Sequence, residues 1–375
     1  MQNLYFDNAA STRVDPRVLD SVLPFFSDNY ANPSALHGPA QAAHAAVEEA
    51  REAVAELLGA GDPSEIIFTT GATEANNTVL NTFPGQILVS DIEHPSVRTA
   101  ALASGRAGLI PVDGSGVVDE DAYRAMLANG AGLVSVMLVN NEIGTVQDID
   151  RLGTVAKEAG ARFHSDVTQS IGKMRLCLGD RPIDYASLSG HKMHAPKGIG
   201  ALWVRSGAPL EPFLLGGSHE RVRRAGTLNV PGIVGLGMAA RLIIDEGEQD
   251  AERMRAQHAR IVQEVIERIP DCRLNGQPDG APHIISLSFF RTEGESVIIN
   301  LDAKGICCTA GAACASGENR FSHVLTGIGL PEEWLRGTVR VSLSKFTTPE
   351  EVDTLIAALE ASVSSVRSLA EFPAR

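Results

Sequence analysis

Positive charge is scarce in this chain: 32 lysines and arginines face 46 aspartates and glutamates, a formal net charge of −14. That balance disfavours phosphate backbones and anionic lipid surfaces, so no direct contact with nucleic acid or membrane is expected. Long apolar runs are missing too, and none approaches the roughly 18 residues of a spanning helix. The N-terminus, Met1-Gln-Asn-Leu-Tyr-Phe-Asp7, has neither the basic nor the apolar region of a secretory signal. Cysteine is sparse and unpatterned: Cys177, Cys272, Cys307, Cys308 and Cys314 form no Cys-x-x-Cys pair, no disulfide framework and no metal-ligand spacing. A cytoplasmic, reducing setting without a bound metal is the expectation. Neither a P-loop, a zinc-protease helix nor a G-x-S-x-G elbow is present.

What the chain does have is a core. Its 375 residues are 44% hydrophobic, enough for one large domain and a smaller one. From about residue 39 to 247, helical periodicity alternates with short apolar runs, which predicts an α/β unit on a mainly parallel sheet. Val47, Ala50, Val54, Leu57 and Leu58 fall at three- and four-residue intervals and stop at Gly59, a helix ending in the usual way. Strands are expected at 66–68, 87–89, 133–139, 162–165, 185–189 and 201–204, several of them continuous apolar runs of the kind covered on both faces. Beyond about residue 246, a charged helical stretch, the run 284–289, another helix and the segment 339–343 read as a smaller α+β domain.

One motif misleads. Gly235-Leu-Gly237-Met-Ala-Ala240 matches a dinucleotide fingerprint as text, and a nicotinamide-dependent oxidoreductase would rest on it alone. The fingerprint needs a strand and a tight turn before its helix, whereas Pro231 just upstream suits a first helical turn. The glycines are therefore expected inside a helix, allowing close packing.

A more coherent set surrounds Ser189-Gly190-His191-Lys192, at the end of the apolar run 185–189. A lysine at a strand end can be partly desolvated, which lowers its pKa and makes it a competent amine nucleophile, although the tetrapeptide alone does not distinguish this from a loop lysine. Asp166 ends the run Ala161-Arg-Phe-His-Ser165, read as a strand, and is followed by Gln169; a carboxylate there can hold a protonated pyridine nitrogen, or cap the next helix. Thr70-Gly71-Ala72-Thr73-Glu74 lies between a strand and a helix expected to begin near Ala75, a place for a phosphate, with Thr73 as a ligand. His94, in Glu93-His94-Pro95-Ser96, follows the strand at 87–89, at the sheet edge where α/β proteins bind ligands, and can stack on a flat ring.

In order along the chain, Tyr5-Phe-Asp-Asn-Ala-Ala-Ser-Thr12, Asn32-Pro-Ser34 with His37, Gly71-Ala-Thr-Glu74, Glu93-His94, Val139-Asn-Asn-Glu-Ile-Gly144, Asp166-x-x-Gln169, Ser189-Gly-His-Lys192, Glu220-Arg221 to Thr227 and Gly311-Ala-Ala-Cys314 span nearly its whole length. Together they resemble the cysteine desulfurases of the iron–sulfur-cluster type (group I), class V aminotransferase-like enzymes of fold type I. The resemblance implies a pyridoxal 5'-phosphate-dependent transferase fold: a mainly parallel large domain over 13–246, and a smaller α+β domain of 1–12 with 247–375 that carries Arg340 and the Cys314 loop. It implies that Lys192 holds the cofactor as a Schiff base, that His94 stacks on its ring, and that Asp166 and Gln169 contact the ring nitrogen and phenolic oxygen. Asn141 would also face the cofactor. The phosphate would be held by Ala72, Thr73, Ser189, His191 and Thr227, the last reaching across from a second copy, which makes the expected enzyme a homodimer. Arg340, in Thr338-Val-Arg-Val-Ser342, would bind the substrate carboxylate bidentately, assisted by Asn32.

Cys314 separates a desulfurase from a plain aminotransferase. Small residues on both sides suit a nucleophile that must enter a pocket and leave it, and His94 is one group that could favour its thiolate. The expected reaction converts L-cysteine to L-alanine and leaves a persulfide on Cys314 for an acceptor protein such as an iron–sulfur scaffold. Cys177, Cys272, Cys307 and Cys308 read as packing residues. Three departures concern the acceptor: Gly-Ala-Ala-Cys stands where Gly-Ser-Ala-Cys is common, Gly317-Glu-Asn-Arg320 follows it, and the ending Ala370-Glu-Phe-Pro-Ala-Arg375 lacks the longer tail with which members of this family dock a scaffold. The rival within the superfamily is a selenocysteine lyase or small-substrate aminotransferase; from another class, a binding protein that kept the fold without the activity.

Overall fold

The computed structural model describes residues 3–310 and 321–369. Among the described residues, thirteen strands run in chain order: β1 Leu4–Tyr5, β2 Ile66–Thr69, β3 Ile87–Ser90, β4 Ala107–Ile110, β5 Leu133–Ser135, β6 Arg162–Asp166, β7 Tyr185–Ser189, β8 Gly200–Val204, β9 Cys272–Asn275, β10 Ile284–Phe289, β11 Ile306–Cys307, β12 Thr309–Ala310 and β13 Thr338–Ser342. Seven of them form one sheet in the order β2-β8-β7-β6-β5-β3-β4. Only β8 runs antiparallel to its neighbours, so the sheet is mainly parallel, as expected. β2, β3, β5, β7 and β8 are buried along their whole length, which is why several of them read as nearly continuous apolar runs.

The short edge strand β4 escaped the sequence pattern because Gly108 interrupts it and three of its four residues are only half-buried. The run at 133–139 keeps a regular ladder only to Ser135, although the Val136 and Leu138 amides still donate to the His164 and Asp166 carbonyls, both at 3.1 Å. A second, antiparallel sheet has the order β12-β13-β10-β9, and β1 pairs with β11. An isolated bridge between Asp7 and Ser342 joins the N-terminal segment to β13.

The helix through Val47 and Leu58 spans Gly38–Leu58 and ends at Gly59, whose φ of 62° is the left-handed conformation of a C-terminal cap. It packs against the long helix Val230–Arg268, which runs unbroken through residue 246. The N-terminal half of that helix (Ile233, Leu236, Ala240) joins the core under the large sheet, and its C-terminal half (Met254, Ile261, Val265) joins a second core with Phe6, Ile285 and Val341.

Gly235 and Gly237 lie inside this helix, as the proline upstream implied. A side chain on Gly237 would place its Cβ 2.6 Å from the Ala50 Cα. The glycines serve helix packing, not a pyrophosphate. Gly237→Val should destabilise the protein by about 1–3 kcal/mol through overpacking, read as a lower urea midpoint; an unchanged midpoint would show that the two helices can separate freely.

Candidate functional site

Five loops leave the C-terminal ends of the parallel strands along one edge of the large sheet. The turn after β2 carries Ala72 and Thr73, the loop after β3 carries His94, and that after β5 carries Asn141, while β6 ends on Asp166 and β7 leads into Ser189, His191 and Lys192. Open α/β sheets bind ligands at this edge, because the chain there is held by rigid strands and leaves backbone donors unpaired.

Lys192 closes the 3-10 turn Gly190–Lys192 directly after β7. Its Nζ donates to the carbonyls of Ala9 at 2.5 Å and Ala10 at 2.6 Å. Burial, then the nearby Arg340 cation, lowers its pKa from 10.5 to about 8. The N-terminal segment is tied down around it: Thr12 donates to the His191 carbonyl through both N–H and hydroxyl, and Gln169 Nε2 donates to the Ala9 carbonyl at 2.9 Å. Sequence reasoning missed these carbonyls, since a backbone acceptor leaves no mark in residue type.

Asp166 is buried and is not a helix cap. Its Oδ1 accepts from the Thr168 N–H at 3.0 Å in a tight turn, and its Oδ2 accepts from Asn76 Nδ2 at 2.8 Å. Gln169 is fixed from behind, its Oε1 accepting from His283 Nε2 at 3.1 Å. His94 caps the helix Pro95–Ala103 through its Nδ1, which accepts the Ser96 N–H at 3.1 Å. Its ring opens on the cleft, and crowding by the surrounding protein lowers its pKa below 6.5.

The helix expected near Ala75 starts at Ala72, so Thr73 lies within the first turn. Gly71 is its N-cap and supplies no side-chain hydrogen bond, leaving the turn without a capping side chain. Gly71 has a φ of 154°, and Gly200 packs so closely on it that a Cβ there would sit 2.7 Å from the Gly71 Cα. Ser189 lines the same corner, its Oγ 3.3 Å from where a Gly71 Cβ would stand. His191, its pKa lowered to about 4 by burial, faces Ser11 Oγ at 3.3 Å. Arg224 grips Glu74 in this helix with two hydrogen bonds. Thr227 is exposed, and among the described residues no hydrogen bond joins it to the rest of the site.

Arg340, on β13, reaches the same cleft. Its Nη2 donates to Asp7 Oδ1 at 2.8 Å and its Nη1 to the Asn141 carbonyl at 2.8 Å, while its buried Nε has no partner. Asp7 thus meets the guanidinium with a carboxylate of the chain's own. Asn32 is exposed and accepts from the Ser34 N–H at 3.0 Å; among the described residues it makes none of Arg340's hydrogen bonds. Cys314 lies outside the described residues.

Glu93 stands fully buried beside His94. Its Oε1 accepts from Ser90 Oγ at 2.5 Å and from the Met137 N–H at 2.8 Å, and Oε2 has no partner. Burial raises its pKa from 4.5 to about 8. A carboxyl whose folded pKa is raised contributes its stability fully below the unfolded value and loses it as pH rises through the folded one. Between pH 5 and 8, wild type should therefore lose stability with a slope up to about 1.4 kcal/mol per pH unit steeper than Glu93→Gln. Urea titrations of both proteins across that range check this; parallel slopes would contradict it.

These residues fit a pyridoxal phosphate. The uncapped turn at Ala72 and Thr73 offers N–H groups to an anion, the buried Asp166 offers a carboxylate to a ring nitrogen, and Lys192 offers an amine close to neutrality. The four described cysteines do not suit nucleophilic work. Burial pushes the Cys272 and Cys308 thiols up to about 12 and raises Cys307, and the hydrogen bond to Asp180 raises Cys177.

A family model for aminotransferase class-V matches residues 4–355. A cysteine desulfurase of Cereibacter sphaeroides is 42% identical over 100% of this chain and 99% of that protein. The cysteine desulfurase NifS of Azotobacter vinelandii is 36% identical over 99% of this chain and 95% of its own length. A solved NifS-like protein superposes with a TM-score of 0.90 at 34% identity, covering 97% of this chain and 100% of that one.

Proposed function

The chain belongs to the aminotransferase class-V family and is a pyridoxal-phosphate-dependent cysteine desulfurase, and we propose that Lys192 is its acid/base and Cys314 its sulfur-accepting nucleophile. Lys192 carries the reading: an amine lowered to about 8, on the sheet edge that also holds Asp166 and His94. When bound, the pyridoxal phosphate supplies an electron sink for charge developing at the substrate Cα. Ala72, Thr73, Ser189 and His191 hold its phosphate, Asp166 and Gln169 hold its ring, and His94 and Asn141 flank it.

Arg340 takes the carboxylate of L-cysteine, a planar two-oxygen group matched to a guanidinium. Lys192 removes the Cα proton, which it can do because a useful fraction of it is neutral at working pH. The Cys314 thiolate attacks the substrate sulfur, the Cβ–Sγ bond breaks with its electron pair going to Cβ, and Cys314 is left as a persulfide. Protonation at Cβ and return of a proton to Cα give L-alanine. The raised pKa of all four described cysteines supports Cys314 as the nucleophile, and the small residues around it suit delivery of sulfur to an acceptor protein, such as an iron–sulfur scaffold.

The enzyme works as a cytoplasmic homodimer in this reading. The described cysteines are free, as in a reducing compartment. Large apolar side chains stand exposed on two segments, Leu36 at 91% and Leu215 at 83% among them, with Phe26, Tyr30 and Val222 nearby in sequence. Such exposure on a folded chain marks a contact surface, and the exposed Thr227 follows the second of these stretches by five residues. The test is direct: holoenzyme given L-cysteine and a thiol reductant should form alanine and sulfide in equal amounts, and sulfide without alanine would defeat the proposal.

A further inference from the structure

Four side chains from three separate elements form one unbroken line of hydrogen bonds beneath the site. Asp166 Oδ2, at the end of β6, accepts from Asn76 Nδ2 at 2.8 Å. The same nitrogen donates to Ser96 Oγ at 2.9 Å, and Ser96 Oγ lies 2.7 Å from His94 Nδ1. Asn76 is fully buried on the helix Ala72–Thr82, and its Oδ1 has no partner.

The direction of every proton in this line follows from its end. A carboxylate oxygen only accepts, so the nitrogen of the Asn76 amide must face Asp166; the reverse orientation would set two acceptors against each other. That nitrogen has a second hydrogen, and it goes to Ser96 Oγ. Having accepted there, the serine hydroxyl turns its own hydrogen to His94 Nδ1. Nδ1 also receives the Ser96 backbone N–H at 3.1 Å. Two donors aimed at Nδ1 leave it unprotonated, so the neutral ring carries its hydrogen on Nε2.

We propose that Asn76 and Ser96 are positioning residues that couple Asp166 to His94, so that the carboxylate at the end of β6 fixes the tautomer and orientation of the imidazole over the site. This rests on the roles of Asp166 and His94 given above. Neither positioning residue touches the substrate in this account. Both act through a partner: Asn76, oriented by Asp166, acts on His94 by way of Ser96, and Ser96 acts on His94 directly. The line joins positions 20 and 90 residues apart in sequence.

Other groups act on the same imidazole: Asp166 from β6, Lys192 beyond β7 and His323 from the helix His323–Gly327. Glu93, its neighbour in the chain, stays protonated below pH 6.5 because burial raises it to about 8. Ser96→Ala and Asn76→Leu remove none of these, so a change in His94 titration reports the line itself.

The test is nitrogen NMR on holoenzyme carrying ¹⁵N-histidine, titrated in parallel with Ser96→Ala, Ser96→Thr and Asn76→Leu. Wild-type His94 should hold its hydrogen on Nε2. Ser96→Ala should raise the His94 midpoint by roughly half to one pH unit, the scale of one lost hydrogen bond to the neutral form, and Ser96→Thr should restore it. Asn76→Leu, which does not touch His94, should raise it by a similar amount, and the double variant should go no further than the larger single shift. A hydrogen on Nδ1 in wild type, an unmoved midpoint in Asn76→Leu, or two shifts that add would each overturn the coupling. The wild-type measurement needs no variant to fold. Turnover is not its readout, so an intact line in a protein that makes no alanine would refute the functional reading alone.

Discussion

Lys192→Ala is expected to lower alanine formation from cysteine by about a hundred- to ten-thousand-fold, the range lost with a positioned acid/base, and to leave the cofactor separable by gel filtration. Two features of the site make the loss large. Lysine at its ordinary 10.5 would be neutral in about one molecule in a thousand at pH 7.5, whereas a pKa lowered to about 8 leaves roughly a quarter neutral. The mount is also rigid: Nζ is held by the Ala9 and Ala10 carbonyls, and Lys173 Nζ donates to the Lys192 carbonyl at 2.7 Å. Lys192→Arg should fail equally, because a guanidinium stays charged and cannot take a proton. Visible absorbance after gel filtration and borohydride fixation separate the outcomes. An arginine variant that kept cofactor and turnover would reduce Lys192 to an electrostatic partner.

Cys314→Ser should retain the cofactor and still bind L-cysteine, and it should lose sulfide release by a factor on the order of 100 or more, as expected when one member of a catalytic unit goes. The reason is elimination as well as chemistry. A thiolate is required, and each cysteine among the described residues is held as a thiol, two by burial that lifts them to about 12. Cys272 and Cys308 could take over only at a large free-energy cost, and Cys177 and Cys307 are shifted in the same direction. Substrate-induced change in visible absorbance, measured beside sulfide, distinguishes a lost nucleophile from lost binding. Sulfide release at the parental rate would transfer the role to another residue.

The sequence and the structure agree where a residue's environment is written locally. Asp166 and Lys192 were legible because each stands at or just beyond the end of a segment that reads as a strand, and in an α/β protein the end of such a segment is the sheet edge that binds ligands. Gly59 and Pro231 marked helix boundaries by backbone chemistry alone. What was not legible depends on distance along the chain. Asp7 meets Arg340 across 333 residues, and the Asp166-to-His94 line passes through Asn76 and Ser96, whose residue types are ordinary in helices. Strand β9, Cys-Arg-Leu-Asn, is partly exposed and mixes charge with polarity, so periodicity had little to register. The start of the first site helix was misplaced because Gly71 caps it without a side chain, which removes the usual Ser, Thr, Asp or Asn signal.

The central claim is that sulfur leaves cysteine onto Cys314 while Lys192 manages the proton. Brief incubation of holoenzyme with L-cysteine in the absence of reductant, followed by alkylation and peptide mass analysis, tests it most directly. The account predicts one additional sulfur on the peptide containing Cys314, with one alanine released per modified chain, and no such mass in Lys192→Ala. An added sulfur on Cys177, Cys272, Cys307 or Cys308 instead, with the Cys314 peptide unmodified, would contradict it.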